Sequence, residues 1–430
     1  MNVDLAVVGG KVVTVDRSDR VIDDGAVGVR DGRIVAIGSS DEVGDWSVDS
    51  QVDASGCVVM PGLINTHTHL AMTMFRGYAD DVTLEEFLAR IVPREMEFLT
   101  PHNVELATSV GAVESLLAGV TTVLDMYFYE RAGAAGAART GLRLLTGPTF
   151  LGEGGPDGLG FDQTMDRAEA WLSEQPAWPP PVLAPHSTYT LSPEQVQAVS
   201  ALAATYGASL QIHAAESTAE VGMVVERHGR RPVELLGHLG VLEQVHTIIG
   251  HGVHLTDGER TMLAEAGAAV AHCPVSNAKL ASGMADVVAL QQAGVTVGLG
   301  TDGPATSNDL DLWTAMRFAG ALPKVLHEDP TALPARDIVR LGTIEGAKAL
   351  GIAAETGSLE VGKRADLVVI DADRPHLAGV AHSYSLLAYA AGRGDVRDVF
   401  VDGRCLVQGR QVTTVDVSPL LAELRQVSAH

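Results

Sequence analysis

Short apolar runs recur through the middle of the chain at residues 58–69, 120–126, 143–150, 182–190, 209–216, 245–255, 268–276 and 295–302. Each has the length and Val/Ile/Leu content of a buried strand. Several are separated by segments with helical periodicity. Thr100 is placed to cap a helix with Pro101 at its first position, Leu106, Val110, Val113 and Leu117 on its apolar face, and Gly119 beyond its end. Ser192-Pro193-Glu194-Gln195 opens a second helix, stopped by Gly207, with Val196, Val199 and Ala203 turned inward. Thr256-Asp257-Gly258-Glu259 is a capping box for a third, ended by Gly267. Strands alternating with helices imply parallel pairing, and eight such units imply an α/β fold closed as a (β/α)8 TIM barrel. The competing arrangement is a doubly wound open sheet, but no Gly-x-Gly-x-x-Gly follows an early strand.

The two ends of the chain follow a different pattern. Residues 3–15 and 26–37 are β-branched runs broken by Gly9-Gly10 and Asp31-Gly32, and the Asp-Gly step is a hairpin signal. Residues 365–370 and 396–407 repeat the style, with Asp402-Gly403 as the turn. These hairpin sets, roughly three hundred residues apart, predict one small β domain built from both termini. The expected division is 1–57 with 358–430 for that domain and 58–357 for the barrel. An Ala/Gly-rich stretch at 132–138 receives no function, and the proline-rich stretch at 176–181 reads as a surface loop.

Composition narrows the function classes. The 430 residues are 46% hydrophobic and 20% charged, with a net charge of −24 from 54 acidic and 30 basic side chains. That surface repels a polyanion, so no nucleic-acid partner is expected. Cys57, Cys273 and Cys405 are too scattered for a disulfide framework or a Cys-x-x-Cys site, which suits a reducing compartment. The start, Met1-Asn2-Val3-Asp4-Leu5, lacks the basic and apolar segments of a signal peptide. No uncharged apolar run is long enough to span a bilayer. A cytoplasmic protein without a membrane partner is the expectation.

The chemistry lies at the ends of the predicted strands. The first ends Asn65-Thr66-His67-Thr68-His69, and residues two apart on a strand point the same way, so two imidazoles aim at one place. That suits a zinc-type ion, although a lone His-x-His also occurs as two hydrogen-bonded core histidines. The fifth strand ends in His213 and Glu216, the sixth in His251, and the eighth in Asp302. Taken singly, His213 reads equally as a core histidine, Glu216 as a helix N-terminal charge and Asp302 as a turn residue before Gly303. His251 has a rival in His254, and one of the two is expected to be packing. At the mouth of a barrel the strand ends converge, so the joint reading is one site. Three histidines and an aspartate would hold one ion with a position open to water, whose pKa falls toward ~7 on zinc. Asp302 would take the proton, His251 would position the nucleophile, and Glu216 would protonate a ring nitrogen and then the leaving group.

These residues resemble the amidohydrolase superfamily, in the branch of methylthioadenosine/S-adenosylhomocysteine deaminases, guanine deaminase and related aminohydrolases. The motifs are 61–69, Met72-Thr73-Met74-Phe75-Arg76-Gly77, Asp125-Met126-Tyr127-Phe128, Pro185-His186-Ser187, His213-Ala214-Ala215-Glu216, His251-Gly252-Val253-His254-Leu255, Ser276-Asn277-Ala278-Lys279-Leu280, Thr301-Asp302-Gly303 and 357–367. The resemblance covers nearly the whole chain. It implies a barrel with a flanking β-sandwich, one divalent metal, usually zinc with iron as the alternative, and homo-oligomeric assembly. It also implies hydrolytic release of ammonia from an aminated nitrogen heterocycle, an adenine- or adenosine-type purine before guanine, pterin, pyrimidine or triazine rings. Carried over, His67, His69, His213 and Asp302 are ligands, Glu216, His251 and Asp302 are catalytic, and His186 meets the substrate. Counting from His69 puts Met96 where adenosine-type members carry a ribose-binding glutamate, with Glu95 and Glu97 beside it. The homocysteine-binding arginines of the family fall on Gly147 and near Gly158-Leu159-Gly160-Phe161. A cyclic amide hydrolase is the second enzyme reading. It would use two metals bridged by a modified lysine, yet the fourth strand ends Ala184-Pro185-His186-Ser187. A binding-only protein is the third, and it leaves the filled acid–base positions without a purpose.

Overall fold

The computed structural model describes residues 1–428. Eight parallel strands form the central barrel: Leu63–Thr68, Val120–Asp125, Arg143–Leu145 continued by Thr149–Phe150, Val182–Pro185, Ser209–Ala214, Thr247–His251, Ala269–His272 and Thr296–Leu299. The ring closes between the last and first strands, where Thr68 bridges Asp302 and Thr66 Oγ1 donates to Leu299 O at 2.9 Å. Almost every residue of these strands is buried, as expected for parallel strands covered on both faces. The third strand breaks at 146–148, where a Cβ on Gly147 would lie 1.8 Å from Val182 O. Only glycine lets the two backbones approach so closely.

Caps read from the sequence set the helices. Thr100 accepts from Asn103 N at 3.1 Å to start Pro101–Leu117. Ser192 and Gln195 exchange bonds at 3.2 and 2.9 Å to start Pro193–Tyr206. Thr256 and Glu259 do the same at 3.2 and 2.9 Å for Asp257–Glu265. The Ala/Gly-rich stretch lies within the helix Glu130–Thr140, where Gly136 packs against the backbone of Glu105 and Ser109. A further helix, Leu84–Phe98, stands over the barrel mouth and bears on the site below.

The termini together build a nine-stranded mixed sheet. It curls around an apolar interior that includes Val7, Val27, Ile34, Leu367 and Phe400. Two local expectations change. The run 58–69 is not one strand. Cys57–Pro61 pairs antiparallel with Leu367–Asp371 in the terminal sheet, and the barrel strand starts after Gly62. A Cβ at Gly62 would meet Thr121 Oγ1 at 2.1 Å, so glycine carries the chain from one layer into the other. Gly9-Gly10 does not end a strand either. It forms bulges inside Asn2–Val13, where the register against Val21–Arg30 slips.

A buried ion cluster joins the two layers. Arg143, on the third barrel strand, pairs with Asp366 and with Asp402 at 2.7 Å, and Asp366 also accepts from Thr356 at 2.6 Å. Among the described residues no helix is long and apolar enough to cross a membrane.

Candidate active site

The strand ends converge as the sequence suggests. His67 Nε2 and His213 Nε2 lie 3.0 Å apart, His69 Nε2 is 3.1 Å from Asp302 Oδ1, and His67 Nε2 is 3.8 Å from the same oxygen. Burial pushes His67 and His213 well below the usual histidine range, so both are neutral imidazoles. His69 Nδ1 faces Met126 O at 2.5 Å, so Nδ1 donates to that carbonyl and Nε2 is the nitrogen turned toward the site. Burial opposes charge on His69, yet its hydrogen bond to Asp302 raises it to about 9. Asp302 is also opposed by burial, yet His69 and the surrounding imidazoles hold it well below the carboxylate range. His67 is shared by two clusters of possible ligands, one with His213 and His251 and one with His69 and Asp302, the ligand atoms of each lying within 4.8 Å of one another. That donor set fits a divalent metal ion.

Glu216 and His251 stand beside this cluster, with Glu216 Oε2 3.6 Å from His251 Nε2. Burial lifts the Glu216 carboxyl to about 7. The turn that presents it is held by Glu220, whose carboxylate accepts Ala215 N at 3.0 Å and Glu216 N at 2.6 Å. Ala215, His251 and Asp302 all take the left-handed backbone conformation, at φ of 57°, 70° and 61°. Such strain, on the order of 1–3 kcal/mol per residue, persists where surrounding structure enforces it and clusters at functional sites.

Support comes from one short helix, Pro274–Lys279, after the seventh strand. Ser276 Oγ donates to Asp302 Oδ2 at 2.6 Å, and Asn277 Oδ1 lies 2.9 Å from His251 Nδ1. Thr306 Oγ1 adds a bond to the same Asp302 oxygen at 2.8 Å. The sequence marked 276–280 as a motif without a role; the roles need the fold, because Asp302 and His251 are 26 residues away on either side. The rivalry between His251 and His254 is settled by direction: His254 Nε2 turns away to Ser282 O at 2.6 Å.

Above the cluster lies a cavity of about 300 Å³, lined by His69, His213, Glu216, His251 and Asp302 at one end. His186 also faces it, and burial lowers its pKa to about 4. The helix Leu84–Phe98 forms one wall with Leu84, Phe87, Leu88, Ile91 and Glu95, spaced at three and four residues as one helical face requires. Glu95 is 4% exposed and accepts from the Tyr127 hydroxyl at 2.7 Å. Burial raises its pKa to about 7 against the lowering effect of Tyr127. The expectation for Met96 needs correction: one residue further on turns the side chain by about 100°, and Met96 is 67% exposed and away from the cavity. Glu97 is also outside, paired with Arg94 at 3.0 Å.

Comparison with known proteins agrees with this geometry. The amidohydrolase family matches residues 58–406. The chain is 39% identical to a 5-methylthioadenosine/S-adenosylhomocysteine deaminase of Symbiobacterium thermophilum, covering 99% of this chain and 98% of that one. It is 40% identical to the protein of the same name from Natronomonas pharaonis, over 99% and 97%. The structure superposes with a TM-score of 0.97 on an adenosine deaminase from Xanthomonas campestris with bound zinc, at 35% identity and 100% and 98% coverage. A zinc-complexed atrazine chlorohydrolase from Arthrobacter aurescens gives 0.90 at 25% identity, with 99% and 100% coverage. With four-fifths of its length matched and the metal-type cluster at the barrel mouth, the chain belongs to the amidohydrolase family.

Proposed function

We propose that this protein is a metal-dependent hydrolytic deaminase that releases ammonia from an adenine-type purine. The observation that carries the reading is the placement of the Glu216–His251 pair beside the His67–His69–His213–Asp302 cluster, on the floor of one cavity. Those four residues are the proposed ligands of a single ion, zinc rather than iron, in keeping with the zinc held by two of the similar structures. The ion supplies Lewis acidity and lowers the pKa of water toward neutrality.

The chain's own groups do the rest. Asp302, oriented by Ser276 and Thr306, accepts the proton of the attacking water. Glu216 keeps a proton at neutral pH because burial raises it to about 7, so it can protonate a ring nitrogen and make the amino-bearing carbon electrophilic. The proton that Asp302 took from the water then reaches the departing amine by way of Glu216, and the proton of the added hydroxyl, lost as the carbonyl forms, restores the Glu216 acid. His251, held by Asn277, orients the nucleophile and faces the developing charge. Glu95 and His186 are the proposed substrate contacts, a ribose hydroxyl for the first. The proposal includes homo-oligomeric assembly and a cytoplasmic location, the latter suited to three unpaired cysteines.

The test is ammonia release by the zinc-loaded protein from adenosine, 5′-methylthioadenosine, guanine, and amino-pterin, amino-pyrimidine and amino-triazine compounds. Deamination of the adenine compounds with one metal equivalent per chain is expected. No release from any of them refutes the activity, and two equivalents would favour a cyclic amide hydrolase.

A further inference from the structure

The cavity changes character along its length. Its floor is polar, and Glu95 with Tyr127 forms a polar step above it. Among the described residues only Oε1 of Glu95 is engaged by a protein donor, which leaves Oε2 for a ligand hydroxyl. Beyond Glu95 the inner face of the helix runs through Ile91 and Phe87 to Leu84, eleven residues or about 16 Å along the axis. Phe128, Leu151 and Pro156 also line the cavity.

The charges point the same way. Among the described residues no lysine or arginine lines the cavity, while three carboxyl groups do: Glu95, Glu216 and Asp302. A ligand carboxylate on the stripe beyond Glu95 would meet no cation among the lining residues, and burying an unpaired charge is costly. An apolar group would instead leave water for a matching wall.

We propose that the cavity selects adenosines whose 5′ position carries a small uncharged apolar substituent, such as an alkylthio group, and rejects those ending in a charged amino acid. The proposal rests on the adenine-deaminase reading. With the purine on the floor and the ribose at Glu95, the 5′ group is the part that reaches the apolar stripe. The inference therefore separates the two substrates joined in the name of the relatives: the methylthio compound fits, and the homocysteine compound does not.

The experiment compares kcat/KM for four compounds with the zinc-loaded enzyme: adenosine, 5′-methylthioadenosine, 5′-butylthioadenosine and S-adenosylhomocysteine. The methylthio compound should exceed adenosine by about ten-fold, the scale on which apolar pockets discriminate. S-adenosylhomocysteine should fall at least about 100-fold below it. The butylthio compound, of similar reach without charge, should stay within about ten-fold of the methylthio one. Placing a cation on the stripe with Leu88→Arg should raise the ratio of homocysteine to methylthio turnover. S-adenosylhomocysteine within three-fold of the methylthio compound overturns the proposal. So does a butylthio compound as poor as S-adenosylhomocysteine, or a folded Leu88→Arg variant with an unchanged ratio. Ammonia from none of the adenine compounds removes the activity reading as well, whereas deamination indifferent to the 5′ group removes this inference alone.

Discussion

Glu95→Gln should make the metal-free protein more stable at alkaline pH while leaving it unchanged in acid. Glu95 is 4% exposed, and burial lifts its pKa from 4.5 to about 7. A carboxyl with a raised folded-state pKa binds its proton more tightly folded than unfolded. Its contribution is therefore most favourable below about pH 4.5 and is lost as pH rises through 7. A rise of about 2.5 pH units at about 1.4 kcal/mol each makes the full span about 3.5 kcal/mol. Glutamine keeps an oxygen for the Tyr127 hydroxyl and has nothing to ionise. The stability difference between variant and wild type should then grow in the variant's favour by about 2–3 kcal/mol between pH 5 and pH 8. Glu216 and Asp125 titrate in the same range, raised by burial to about 7 and about 6, but they are common to both proteins and cancel in the difference. The assay is denaturant unfolding of both chelator-treated proteins at the two pH values. A difference that does not change with pH would refute the buried-carboxyl argument. The same variant should raise KM for ribosides, because a carboxyl kept at a cost to stability is expected where function needs it.

Glu216→Gln should retain one metal equivalent by elemental analysis and lose about 10²- to 10⁴-fold in kcat, whereas His67→Ala should lose the metal itself; a fully metallated His67→Ala protein would contradict the ligand set. Arg143→Ala strands Asp366, buried between the barrel and the terminal sheet, and should cost about 3–5 kcal/mol of unfolding free energy; a loss below about 1 kcal/mol would show the pair to be dispensable. Asn277→Leu should lower kcat about ten-fold or more at nearly constant KM and full metal content, with Asn277→Asp recovering most of it by restoring the acceptor for His251; a change confined to KM would count against an orienting role.

The barrel and its metal-type cluster were legible because both depend on local pattern. Eight apolar runs each carry their own strand signal, and the polar side chains sit where their strands leave the barrel, so registering the strands is enough to bring His213 and Asp302 beside His67, and His69 beside Asp302. Where the chain's local pattern is degenerate, the elements are not fixed by it. Residues 58–69 are buried throughout, with the two halves in different layers, and the pattern of burial cannot tell one layer from another. The glycine pair at 9–10 serves equally as a strand end or a bulge, and only the partner strand decides. Pairings such as Arg143 with Asp366, 223 residues apart, leave no trace in any window of sequence.

The one-residue step from Met96, exposed, to Glu95, facing the cavity, is the most informative correction. Counting along the chain fixes position to within a residue, but on a helix one residue is about 100° of rotation, the difference between a cavity wall and solvent. The phase was nevertheless present in the sequence: Leu84, Phe87, Leu88 and Ile91 define the inner face, and continuing that spacing by four arrives at Glu95. A carboxyl at a position where the pattern demands an apolar side chain violates the local rule, and such violations are expected where a ligand supplies what the fold does not. The left-handed turns at Ala215, His251 and Asp302 are violations of the same kind in the backbone. They carry no glycine to announce them. The parts of the site hardest to read are thus those where chemistry overrides propensity, as at Glu95 on the helix Leu84–Phe98, the wall on which the proposed 5′ specificity rests.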